Sequence, residues 1–187
     1  DGSATFSYNP LVDIHKMTDG GLDAVFMVAY LRQLERSDEM LQAATAKADR
    51  LLSLIEQRIS ECNGLAAIAY SPEELYKNKQ NGVKSVVLGI ENGYAIAKDI
   101  NNVSRYADLG VSYMTLCHNG DNDICDSARG KYEHNGLSAF GKEVVMEMNR
   151  VGMMVDLSHA SEKSFYDVLE FSKVPVICSH SSSRTLC

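Results

Sequence analysis

The amino-acid sequence predicts an α/β fold with parallel strands: about six βα units of a (β/α)8 TIM-like barrel, in a single domain over residues 1–187. Three observations predict it. Short apolar runs rich in β-formers alternate with amphipathic helical segments, the pattern of parallel strands joined by right-handed crossovers. The length suits one core rather than two, and no linker interrupts it. Successive strand ends carry Glu91, His118, His159 and His180, and the C-terminal ends of the strands are where such a barrel keeps its active site.

Residues 24–31 form a continuous apolar run behind Gly20-Gly21, which reads as a buried strand. A helix is predicted from Ser37, which can cap it. Asp38 and Glu39 suit its positive N-terminus, and Leu41, Ala44, Ala48, Leu51, Ile55 and Ile59 share one face, until Asn63-Gly64 ends it. Residues 65–70 make a short strand. Ser71 and Glu74 then have capping-box spacing, with Pro72 at the first helical position. After Asn81-Gly82, residues 84–91 read as a strand tipped by Glu91. Residues 95–109 are helix-like, Gly110 breaks the pattern, and residues 111–117 are a strand followed at once by His118.

A polar loop over 119–135 leads to a helix with Leu137, Phe140, Val144, Met148 and Val151 on one side and Gly152 as its stop. Residues 153–157 form the next strand, tipped by Ser158-His159. Ser161 caps a helix whose Phe165, Val168 and Leu169 face inward, and residues 174–178 form a last strand tipped by Ser179-His180.

Composition excludes several classes. The balance of 45% hydrophobic and 23% charged residues is that of a globular protein. A formal charge of -7 without a Lys/Arg-rich run argues against nucleic acid as a partner. No apolar run approaches the roughly 20 residues that span a bilayer, and no signal peptide is visible at the start. Five cysteines, odd in number and without a CxxC pair, argue against a thiolate zinc site or a disulfide scaffold and leave the compartment open.

One polar residue at a strand end means little. Three of the five histidines at successive tips, together with a glutamate, are poorly explained by packing and point to metal binding or catalysis. Imidazole and carboxylate are ligands of catalytic zinc, and a glutamate can bridge two ions. Two adjacent cations activate a water and polarise a carbonyl, which suits amide hydrolysis. His15 and His134 read as surface or packing residues. Asp121, Asn122, Asp123 and Asp126 resemble part of a calcium loop, but the sixth position holds Asp126 in place of Gly and the twelfth is Tyr132, so an EF-hand is rejected. Asp156 has two readings, an orienter of His159 or a strand-pairing residue. Ser179, Ser181, Ser182 and Ser183 read as loop hydrogen-bonders, since no GxSxG elbow is present.

These strand ends lie in segments that resemble the membrane (renal) dipeptidase family of zinc metallopeptidases, enzymes of the amidohydrolase-like barrel type. The resemblance is carried by Gly89-Ile-Glu-Asn-Gly93, Tyr113-Met-Thr-Leu-Cys-His118, Gly136-Leu-Ser-Ala-Phe-Gly141, Met148-Asn-Arg-Val-Gly152, Val155-Asp-Leu-Ser-His159 and Pro175-Val-Ile-Cys-Ser-His-Ser-Ser182. Val12-Asp-Ile-His-Lys-Met17 and Gly20-Gly-Leu-Asp-Ala-Val-Phe26 extend it to residues 11–187. The resemblance implies a dipeptidase with two zinc ions. Glu91 would bridge the ions, His159 and His180 would be ligands of the second, and His118 would contact substrate as a catalytic residue. A metal-bridging hydroxide would attack the scissile carbonyl while His118 donates to the oxyanion. Dipeptides would be the substrates, and a homodimer is left open.

The family holds its first zinc with a His-x-Asp pair at the end of its first strand, and this sequence has none. Reading Asp1-Gly-Ser-Ala-Thr5 as an altered form would put Ser3 and Thr5 where ligands belong, but the distance to Asp13 is too short. The expectation is that the first strand, and the C-terminal units with the family's substrate-binding arginine and late catalytic aspartate, lie outside these residues. Asn92 replaces a usual glycine and Ser112 a usual arginine. Two rivals stand beside the dipeptidase: another binuclear amidohydrolase such as a deacylase, and a non-catalytic barrel that binds a peptide or a single metal.

Overall fold

The computed structural model describes residues 11–183, 185 and 186. The alternative that involved Ser3 and Thr5 lies outside them. Element order is α1 (Ile14–Asp19), β1 (Ala24–Tyr30), α2 (Asp38–Ser60), β2 (Ala66–Ile68), α3 (Pro72–Gln80), β3 (Lys84–Glu91), a 3₁₀ turn (Gly93–Ile96), α4 (Asn101–Asp108), β4 (Val111–Thr115), α5 (Ala139–Val151), β5 (Met154–Asp156) and α6 (Glu162–Phe171). All strand pairings are parallel, in the order β1-β3-β4-β5, with β2 off this path. Because β2 pairs only with residues 84–86 of β3 and β4 takes over from Leu88, with a register shift between Leu88 and Gly89, β2 is an accessory strand.

The helices start where local chemistry dictates. The side chains of Ser37, Ser71, Ser138 and Ser161 accept from the backbone N–H groups of Met40, Glu74, Gly141 and Ser164, satisfying donors that the first turn leaves unpaired. Glu74 completes its turn by accepting from the N–H of Tyr70. Gly152 ends α5 in the left-handed region, with φ of 78°.

One large core lies between the sheet and the helices. Leu41, Ala44, Ala48 and Leu52 of α2, Val103 and Tyr106 of α4, Val144 and Met148 of α5, and Val168 of α6 pack with Leu88, Ile90, Met114 and Val155 of the strands. Full burial of each such Val, Leu, Ile or Met contributes roughly 1.5–3 kcal/mol. Alternation along the strands sends the opposite set to the other face, where Phe26 meets Tyr113 edge-on at 5.1 Å. Gly89 lies under that ring, and a β-carbon there would come within 2.4 Å of it.

Three expectations change. The helix expected over 95–109 divides, because Ala97 and Lys98 take positive φ values of 50° and 59° that no helix continues through. Leu169 faces outward at 46% exposure, whereas Val168 is buried. The strand expected over 174–178 is reduced to one parallel bridge, Ile177 to Asp156, in a segment where Pro175 has no N–H to give to a ladder. Among the described residues no helix is long and apolar enough to cross a membrane.

Candidate metal centre

Register places the site. Tyr30 pairs with Glu91, Glu91 with Thr115, and Thr115 with Asp156, so one row of residues crosses the C-terminal end of the sheet. Each histidine stands three positions past a paired residue of that row: His118 after Thr115, His159 after Asp156 and His180 after Ile177. The same short extension from neighbouring strands turns three imidazoles toward one carboxylate. Glu91 Oε1 lies 3.6 Å from His118 Nε2, 3.4 Å from His159 Nε2 and 3.4 Å from His180 Nε2.

The four residues singled out from the sequence are thus brought together. Glu91, His118 and His159 offer ligand atoms within 4.8 Å of one another, a grouping that can hold a metal ion. His180 joins them from the rim, its side chain 47% exposed against 18% for Glu91. The rings of His118 and His159 lie 4.3 Å apart, those of His159 and His180 4.8 Å, and Tyr30 meets His118 edge-on at 5.0 Å. His15 is exposed on α1, and His134 is engaged in the loop through Asn122 O at 2.7 Å, as expected for residues outside the site.

Backbone devices hold the histidines. His159 takes a positive φ of 67°, uncommon for a side chain with a β-carbon and typical of residues over-determined by their surroundings. Its carbonyl accepts from Ala128 N at 2.8 Å, while Ser127 Oγ donates to the carbonyl of His118 at 2.5 Å. The loop that supplies Ser127 is wound around side chains. Asp121 accepts from Ser127 N, Lys131 N and Glu133 N, Asp126 accepts from His134 N and Gly136 N, and Asn122 accepts from Ile124 N and Cys125 N. These groups are committed to the loop's own backbone, consistent with rejecting a calcium loop.

The donor set suits a metal. Burial lowers the His118 pKa, with His180 and Arg129 adding to the effect and Glu91 opposing it. Burial likewise lowers that of His159, helped by His118 and His180, so both favour the neutral ring that a metal requires. His159 Nε2 and His180 Nε2 lie only 2.8 Å apart, while the other ring nitrogens face Asn119 Oδ1 at 3.2 Å and Ser179 Oγ at 2.8 Å. Two neutral rings with outward Nδ1–H groups would place two lone pairs face to face, and a shared cation beside Glu91 resolves that contact.

Two features escaped the sequence reading. Asp156 makes no hydrogen bond to His159; it accepts instead from Thr115, Ser158 and Ser179. Asn92, next to Glu91, is fully buried and holds a positive φ of 91° through side-chain bonds to Leu31, Gln33, Tyr94 and Asn122. Only the usual presence of glycine at that place hinted at the backbone demand on Asn92.

A family model for membrane dipeptidases, peptidase family M19, matches residues 5–187. The chain is 36% identical over 185 residues to the dipeptidase verJ of Clonostachys rogersoniana, covering 93% of this chain and 47% of that protein. Among solved structures it is similar to an amidohydrolase from Pseudomonas aeruginosa, with 29% identity, a TM-score of 0.76, and coverage of 87% of this chain and 46% of that one. It also shares its fold with a metallo peptidase from Rhodobacter sphaeroides liganded with a phosphinate mimic of the dipeptide L-Ala-D-Ala, at 20% identity and a TM-score of 0.81, covering 91% and 56% of the two chains. The chain spans less than half the length of the curated relatives it matches. A half-barrel with its strand-end residues gathered on one carboxylate, matched by the family model almost throughout, belongs to the membrane dipeptidase family, peptidase family M19.

Proposed function

We propose that this chain supplies one barrel domain's share of a zinc-dependent dipeptidase, with Glu91, His159 and His180 as metal ligands and His118 as the catalytic residue that contacts substrate. The observation that carries the reading is the approach of three imidazole Nε2 atoms to Glu91 Oε1 at 3.4 to 3.6 Å, in a member of a dipeptidase family. One carboxylate and neutral imidazoles form the oxygen and nitrogen donor set that zinc takes in hydrolytic sites, and two zinc ions are proposed because a carboxylate offers two oxygens to bridge them. When bound, the metal supplies Lewis-acid polarisation of a carbonyl and an activated water.

The remaining steps belong to the chain's own residues. Glu91 places a fixed negative charge at the centre of the row, which holds cations and keeps the imidazoles in position. His118 Nε2 stands beside it at 3.6 Å, where a ring N–H would be available to donate to the oxygen that gains charge when a peptide carbonyl is attacked. Tyr30 packs edge-on against the His118 ring. His159 also borders an open cleft of about 940 Å³ walled by Arg129, Leu157, Phe165 and Tyr166, which gives a small substrate an apolar surface beside the reacting centre. Dipeptides are favoured over the N-acyl amino acids of a deacylase because named relatives are dipeptidases and a fold neighbour is liganded by a dipeptide mimic.

A second reading is favoured by one observation, the grouping of His118 with Glu91 and His159 as possible ligands of the same ion. Two variants of the full-length protein decide. Glu91→Gln is expected to lose bound zinc and dipeptide hydrolysis while melting close to wild type; retention of full activity refutes its role. His118→Gln is expected to keep its zinc and lose on the order of a hundredfold or more in kcat, the scale of one oxyanion donor. Loss of zinc in His118→Gln makes that residue a ligand instead. A panel of dipeptides against N-acyl amino acids separates the dipeptidase from the deacylase, and full zinc content without hydrolysis of either favours the non-catalytic barrel.

A further inference from the structure

The carboxylate of Asp156 is buried at the tip of β5, in the same row as Glu91, yet it is not one of the side chains gathered around Glu91 Oε1. Five donors occupy it. Ser158 N at 3.1 Å, Ser158 Oγ at 2.9 Å and Ser179 N at 2.9 Å donate to Oδ1, and Thr115 Oγ1 at 2.6 Å and Ser179 Oγ at 2.6 Å donate to Oδ2. Every donor comes from a segment that delivers an imidazole: Thr115 lies ahead of His118, Ser158 beside His159 and Ser179 beside His180. Ser158 Oγ accepts in turn from the backbone N–H of His180 at 3.0 Å.

For a neutral His180 ring, proton counting along this chain has one solution. A carboxylate accepting five donors has no proton to give, so the single hydroxyl proton of Ser179 goes to Asp156 Oδ2. The contact between Ser179 Oγ and His180 Nδ1, at 2.8 Å, then needs its proton from the ring. Nδ1 therefore carries the hydrogen, and Nε2 keeps the lone pair that faces Glu91 Oε1 at 3.4 Å. The outer hydrogen bond of a metal-binding imidazole sets its tautomer and ring orientation in this way.

We propose that Asp156, acting through the hydroxyl of Ser179, is a positioning residue that fixes His180 in its Nδ1–H tautomer and presents Nε2 to the metal. The inference rests on the reading of His180 as a ligand. Glu91 holds the ions and the serine relay determines whether the rim imidazole is ready for them, so that affinity is governed from a residue that never meets the ion. A purely structural Asp156, stapling strand ends together, would make the Ser179 hydroxyl dispensable, because the Ser179 backbone N–H remains on Oδ1 without it.

The test compares Ser179→Ala, Ser179→Thr and His180→Ala in the full-length protein, with zinc alone as the probe in competition with a chelator. Ser179→Ala is expected to melt near wild type without metal and to bind zinc 10 to 100 times more weakly, the usual effect of removing such an outer partner. Ser179→Thr, which keeps the hydroxyl, is expected to restore the affinity. Long-range nitrogen NMR of the metal-free protein is expected to show His180 protonated at Nδ1 in wild type and shifted toward Nε2 in Ser179→Ala. Wild-type zinc affinity in Ser179→Ala, or an unchanged His180 tautomer, overturns the relay. If His180→Ala loses zinc while Ser179→Ala does not, only the relay fails; if His180→Ala also binds zinc as wild type does, the ligand reading and the relay fall together.

Discussion

At the scale of the residue, Asn92 shows how closely the site depends on its backbone. Its φ of 91° and ψ of 106° belong to a region that glycine enters without strain. The asparagine offsets that strain because its side chain donates to Leu31 O and Gln33 Oε1 and accepts from Tyr94 N and Asn122 Nδ2. Asn92→Ala keeps the strain and loses the bonds, and is expected to cost about 3 kcal/mol. Asn92→Gly loses the bonds but relaxes the backbone, and is expected to cost about 1 kcal/mol less. Chemical denaturation of the three proteins checks the order; equal stability of the Ala and Gly variants contradicts a strained Asn92. Glu91 and the histidines were legible in the sequence because Glu91 ends an apolar run and each of His118, His159 and His180 closely follows one. The partners of Asn92 and Asp156 were not, since Leu31 and Ser179 reach them only through strand pairing that no local pattern reveals.

Elements are legible where their signals are local. Serine caps, capping-box spacing and the stop at Gly152 lie within a few residues of the ends they define, and the helices formed there. The break at Ala97 and Lys98 had no such signal, because neither residue type favours a positive φ and the turn is held by burial of Tyr94, Ala95 and Ile96. Docking between elements is equally remote from local pattern. Gly141, in the first turn of α5, sits so close to the loop that a β-carbon would lie 2.1 Å from the carbonyl oxygen of Ile124.

Between α4 and α5, Glu147 takes two hydrogen bonds from the Arg150 guanidinium, at 2.7 and 2.6 Å, and a further one from Ser104. Arg150 first and Ser104 second hold its carboxyl at about 2, below the ordinary 4.5. A carboxyl depressed on folding contributes its full stability above the unfolded value and loses it as pH falls through the folded one. The stability difference between wild type and Glu147→Gln is therefore expected to be largest above pH 4.5 and to shrink toward about pH 2. Denaturant titrations across that interval check it, and a difference that stays constant contradicts the assigned cause.

For the whole molecule, a parallel α/β sheet with Glu91 and the histidines at its C-terminal edge follows from the alternation of strands and helices, and that plan was legible in the sequence. The accessory place of β2 and the single bridge at Ile177 were not, because both depend on which neighbours a strand finds and not on its own residues. What the fold achieves is convergence: side chains from residues 91 to 180 meet within a few ångströms because each crossover returns the chain to the same edge.

Anomalous diffraction at the zinc edge from crystals of the full-length protein grown with zinc tests that convergence most directly. Zinc is expected within about 2.0–2.2 Å of a Glu91 oxygen and of the Nε2 atoms of His159 and His180. Zinc held elsewhere, with those three side chains ordered and free of metal, would contradict it.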